Sequence, residues 1–187
     1  MTPIGAVHFL SSLVAITMGA VVLMLPKGTR WHRTWGHGYV WSMVVVVATS
    51  FALFNMTGRW TPFHFAAVAG GVTLLGGMIT VLRRVPKKEW IEAHATWMAW
   101  SYVGLMAAFT AESLTRFVMP RIRPYLETNA LFGVFWIVVA LGSFSAGAVG
   151  WWLIKTRLPA AVASTPAAMR QEREELRGAG AGDAVSA

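Results

Sequence analysis

The sequence predicts an all-α integral membrane protein with five transmembrane helices, the first four packed as an antiparallel bundle. Three observations carry that expectation. Hydrophobic residues make up 56% of the 187 positions and charged residues 13%, against roughly 25% charged in a globular chain. Apolar runs of about 20 residues, the length a ~30 Å hydrocarbon core requires, recur along the chain. The lysines and arginines gather in the short segments between those runs.

The spans fall at about 4–25, 36–56, 62–82, 91–114 and 131–154. Pro26 ends the first and Gly58 the second. Pro62 suits the first turn of the third, where its missing N–H costs nothing. The fourth begins near Ile91, or already at Pro86 as a helix that projects from the membrane. In the first, third and fifth, Ser11, Ala15 and Gly19, Ala67 and Gly71, and Ser143 and Gly147 stand at helical spacing, as close-packed membrane helices require. Residues 1–157 form the transmembrane domain. Residues 158–187 are small and polar and read as a largely disordered tail, with room for a short helix from Pro166 to Arg177.

Charge sets the orientation. Lys27, Arg30, Arg33, Arg83, Arg84, Lys87, Lys88, Lys155 and Arg157 fall on one side, and Arg59, Arg116, Arg121 and Arg123 on the other. The positive-inside rule puts the richer side in the cytoplasm and the N-terminus outside, as expected for a multi-pass protein of the inner (plasma) membrane. Trp31, Trp35, Trp41, Trp90, Trp151 and Trp152 support the inner boundary, and Trp60 the outer. The first apolar run is too long for a removable signal, and its flank lacks positive charge. The net charge of +8 lies in loops rather than along one face, which argues against a nucleic-acid partner. With no cysteine, disulfides and thiolate metal sites are excluded.

The histidines carry the chemistry. Ionisable residues in membrane helices are costly and mark functional sites. His8 and His64 each lie nineteen residues from the cation that ends their helix, Lys27 and Arg83, on the predicted inner side. They are expected at one depth near the outer surface. His37 and His94 each lie twenty-two residues before Arg59 and Arg116, near the inner surface, with His32 one to two turns further in. An up-down bundle sets helices one and three, and two and four, across the core from each other. His94, Ser101, Ala108 and Glu112 read as one inward face. One imidazole from each of two facing helices, at each membrane surface, is what bis-histidine ligation of two b-type haems requires. Histidines near helix ends also serve as plain interface residues.

The strings "WHRTWGHGYV" and "HATWMAWSY" also resemble a bacterial family of predicted multi-helix membrane proteins of unknown function. The likeness covers roughly residues 5–115. It rests on His32, Arg33, Gly36 and Tyr39, and on His94, Trp97 and Met98. It implies membrane location and favours His32 over His37 as the patterned residue. The layout is similar, in arrangement rather than sequence, to the di-haem bundles of cytochrome b561. That likeness implies haem near each surface, by His8 with His64 and by His94 with His37 or His32. Arg30, Arg33, Lys87 and Lys88 would neutralise propionates. A quinone or a redox protein would be the partner.

Two other classes stand beside electron transfer. His32, His37 and His94 with Glu89 or Glu92 would suit a zinc hydrolase, although no HExxH string occurs and His8 and His64 then have no task. An accessory subunit of a larger membrane complex, without cofactor, is the third. Glu112 and Arg116, four apart, are expected to pair. Asn55 and the loop arginines Arg121 and Arg123 are expected to be solvated.

Overall fold

The computed structural model describes residues 2–53 and 62–185. Among them the elements are α1 (Pro3–Met24), α2 (Arg30–Ala52), α3 (Pro62–Arg83), α4 (Trp90–Ile122), a 3-10 turn (Arg123–Tyr125) and α5 (Thr128–Val185). The all-helical fold class is as the sequence predicts. The predicted end of the second span, with Asn55, Arg59 and Trp60, lies outside the described residues.

Local chemistry explains the boundaries. The Thr2 hydroxyl accepts the Gly5 N–H at 3.2 Å and caps α1. At the other end of α1 the Lys27 ammonium donates to the carbonyls of Val22, Leu23 and Leu25 at 2.9, 2.7 and 3.2 Å. Those carbonyls are among the acceptors a helix end leaves orphaned. Gly28, at φ 81°, turns the chain. Thr29 then accepts the His32 N–H at 3.3 Å and starts α2 six residues ahead of the apolar run, since a good cap extends a helix into polar sequence. Arg84, at φ 52°, leaves α3 and stands over the Trp90 ring, 6.0 Å from its centroid.

Two helices outrun their apolar spans. α4 passes the predicted end at Leu114 and reaches Ile122. α5 continues to Val185, through the segment expected to be a largely disordered tail. The Ala-, Glu- and Arg-rich stretch 167–177 favours helix, whereas Pro159, Pro166 and the glycines at 178, 180 and 182 do not.

Among the described residues, three stretches are long and apolar enough to cross a membrane, Pro3–Met24, Phe63–Arg83 and Ala130–Thr165. α2 and α4 have the length but carry more polar groups, some of which they bury against each other. The Tyr39 and Ser101 hydroxyls meet at 3.0 Å in the core, where Tyr39 is 2% exposed and Ser101 fully buried.

α1 packs on α2, α2 on α3, α3 on α4, and α1 also meets α4. The first four helices therefore close a square, with α1 diagonal to α3 and α2 diagonal to α4. α5 lies outside the square against α4. Ala15, Tyr39, Met43, Val46, Leu74 and Leu105 form the core. Gly19 admits the Tyr102 and Tyr39 rings, which a Cβ there would strike. α5 rides on α4 through Gly142 and Gly150, whose missing side chains make room for Ala111, Leu114 and Val103. The expected seam was Ser143 and Gly147, but Gly147 faces open space. Gly142, Ser143, Ser145, Ala146, Gly147 and Gly150 make this helix small nearly all round, so periodicity could not choose a face.

The inward face of α4 also differs from expectation. Ser101, Leu105 and Ala111 are buried, whereas the Glu112 side chain is 42% exposed and pairs with Arg116. Ala111 is buried under α5, where Gly142 approaches its backbone, so the buried stripe of α4 serves two neighbours and leaves Glu112 outside.

Candidate functional site

The ends of α1 and α3, the starts of α2 and α4, and the middle of α5 meet at one end of the bundle, called the basic end below. They enclose a cavity of about 380 Å³, within the roughly 300–1,000 Å³ usual for small-molecule sites. Val22, Val40, Met78, Val81 and Met98 make its walls apolar. Tyr39 and Tyr102 reach it from the core side. Leu158, Ala161, Val162 and Thr165 of α5 line it beyond the predicted end of the fifth span. Thr165 is 3% exposed. Lys27, Arg33 and Arg84 bring positive charge, and no Asp or Glu is among the lining residues.

Two imidazoles from diagonal helices line this cavity, His32 of α2 and His94 of α4. The His94 Nδ1 lies 2.8 Å from the Gly77 carbonyl. A carbonyl only accepts, so Nδ1 carries the proton and Nε2 keeps the lone pair. The His32 ring hydrogen-bonds to the Val22 carbonyl, and its Nδ1 is buried with no hydrogen-bond partner. His32 stands in the first turn of α2, ahead of the apolar run. Burial first, and then the neighbouring Lys27 ammonium and His94, push its pKa down to about 4. It is a neutral ring at physiological pH. Burial likewise lowers the pKa of Lys27.

His37 is exposed at the cavity's edge. Among the described residues no group of three His, Asp or Glu side chains is gathered closely enough to hold a metal ion. The His32, His37 and His94 set of a zinc site is therefore not assembled, because five residues along α2 turn His37 away from His32.

At the far end, on the other diagonal, His8 lies in the second turn of α1 and His64 in the first turn of α3. His64 is buried, at 4% exposure. The His8 Nδ1 lies 2.9 Å from the Thr49 hydroxyl oxygen. Local sequence held no signal for either imidazole partner. Thr49 is forty-one residues from His8, and Gly77 acts through its backbone. The α5 wall was missed because it sits in sequence that looked like a tail.

A square of helices built for lipid, with α5 alongside and a two-histidine cavity at one end, defines a polytopic helical membrane protein. The chain belongs to the family described as "Predicted membrane protein (DUF2306)", which matches residues 5–153. The match covers the bundle and the packed part of α5. It stops short of Leu158, Ala161, Val162 and Thr165. No curated protein and no solved structure matches the chain.

Proposed function

We propose that this protein is a b-type cytochrome-like electron carrier. One haem would be held at the basic end by His94 and His32, and a second at the far end by His8 and His64. One observation carries the proposal. At each end of the bundle, one histidine commits its Nδ1 to a partner inside the protein, His94 to Gly77 and His8 to Thr49. Such outer-shell bonds fix the ring and leave Nε2 as the ligand in most histidine-metal sites.

The residues of the basic end fit the group. The cavity supplies apolar walls for a macrocycle and two neutral imidazoles from opposite sides. Arg33 and Arg84 would neutralise propionates, and no carboxylate stands in the lining to repel them. Lys27 takes no part, since its three donors already serve α1 carbonyls. His32 offers Nδ1 as it stands, since Nε2 is the nitrogen that donates to the Val22 carbonyl. Bound haem supplies a one-electron couple. The chain's own residues would orient the two imidazoles, and burial holds His32 neutral. On the positive-inside rule the basic end faces the cytoplasm, so two haems would give electrons a path across an inner membrane. A quinone or a redox protein is the partner class.

The visible spectrum of protein purified from haem-replete cells tests this. Reducible b-type bands are expected, and His8→Ala and His94→Ala should each remove a different half of them. A colourless protein refutes the proposal. It would favour an accessory subunit of a larger complex, a role for which the helix running on beyond the bundle in α5 supplies a docking element.

A further inference from the structure

The hydrogen bonds around His8 fix more than its position. Thr49 lies in α2, and its hydroxyl donates to the carbonyls of Val45 at 2.7 Å and Val46 at 3.1 Å. A threonine hydroxyl has one proton. With that proton committed to its own helix, the oxygen can only accept from His8. The 2.9 Å contact is therefore Nδ1–H of His8 donating to Thr49. The neutral ring must carry its lone pair on Nε2.

We propose that Thr49 is the positioning residue of the far-end site, fixing His8 as the Nδ1–H tautomer with Nε2 free to bind an electrophile. The chemical class of ligand is a metal centre that accepts a neutral imidazole. For haem iron the inference rests on the function proposed above, but the tautomer assignment stands without it. The far end thus reproduces with a side chain what the basic end achieves with the Gly77 carbonyl.

The test uses the full-length protein in lipid nanodiscs with 15N-labelled histidine, His8 being assigned by comparison with His8→Gln. At a pH well above the ordinary imidazole range, the spectrum should show a protonated Nδ1 and a pyridine-type Nε2 for His8. Thr49→Val keeps the shape and the β-branch but removes the acceptor, and should mix in the other tautomer. Thr49→Ser should restore the first. A protonated Nε2 in the native protein, or a Thr49→Val spectrum identical to it, overturns the proposal. A second readout applies to haem-loaded protein. Loss of an outer-shell partner typically weakens metal binding about 10- to 100-fold. Thr49→Val should weaken retention of the far-end haem in that range, spare the basic-end haem, and be rescued by Thr49→Ser. Unchanged retention counts against the positioning role. If no haem is found at all, the electron-carrier proposal fails while the nitrogen spectrum still decides the role of Thr49.

Discussion

Tyr39 and Ser101 tie the second diagonal of the square together, and removing either hydroxyl should cost unequal amounts. Their oxygens are 3.0 Å apart in the core. Leaving a buried donor or acceptor without its partner costs about 1–3 kcal/mol in a protein interior. Interhelical side-chain bonds in membranes average nearer ~0.6 kcal/mol, with a maximum of about 1.7. The two single variants then separate on chemistry. After Tyr39→Phe the Ser101 hydroxyl can rotate onto the carbonyl one turn back along α4, as serines in helices commonly do, so a loss of about 0.5 kcal/mol is expected. After Ser101→Ala the Tyr39 hydroxyl has a rigid ring behind it and loses its partner in the core. The loss should approach about 1.5 kcal/mol, or a Tm lowered by roughly 3–6 °C for a chain of this size. The double variant strands nothing and should lie above Ser101→Ala. Reversible unfolding in bicelles, run as a double-mutant cycle, measures all three. Strict additivity, or a Ser101→Ala protein as stable as the parent, would refute the claim that this bond holds α2 to α4.

Other outcomes follow from the same structure. Gly150→Leu must push Val103 aside and should cost about 1–3 kcal/mol of overpacking, whereas Gly147→Leu, which faces open space, should be close to neutral; thermal unfolding of the pair compares them. Because the pKa of His32 is lower in the folded protein than in the unfolded chain, the unfolded chain binds the extra proton first. Stability should therefore fall as pH drops below about 6.5 and level off near about 4, with the slope over that window reduced in His32→Gln. Truncation after Arg157 removes the α5 wall and should open the cavity at the basic end. A solvent-sensitive hydrophobic dye should then bind the truncated protein and not the whole one, and equal binding would show that Leu158–Thr165 does not close the cavity.

The helices were legible because lipid imposes a blunt rule on composition. Their ends were not. Thr29 starts α2 through one hydrogen bond and Lys27 finishes α1 through three, and these act where the apolar count has already stopped. Which face of α5 packs was illegible for the opposite reason, since small residues surround the helix and nothing favours Gly150 over Gly147. The histidines stood out by rarity and depth alone. Depth put His32, His37 and His94 at one end but favoured His37 as the partner of His94, and only the turn of α2 separates the buried ring of His32 from the exposed one of His37. Acceptors such as the Gly77 carbonyl and the Thr49 hydroxyl carry no mark in sequence at all. They are found only when the helices are side by side.

α5 runs as helix from its seam on α4 to Val185, and a straight rod of that length would have a moment arm, with Pro159 and Pro166 as the points where it would bend. Thirty-five residues separate Gly150 from Val185, about 52 Å at 1.5 Å per residue, while Thr165 lies only about 22 Å from the same fulcrum. A tilt of one degree about Gly150 therefore moves the tip by about 0.9 Å and the cavity wall by about 0.4 Å. A load applied at the end of the helix reaches the cavity geared down by a factor of about two and correspondingly increased in force. Whatever grips that tip holds a mechanical advantage over the pocket it never touches.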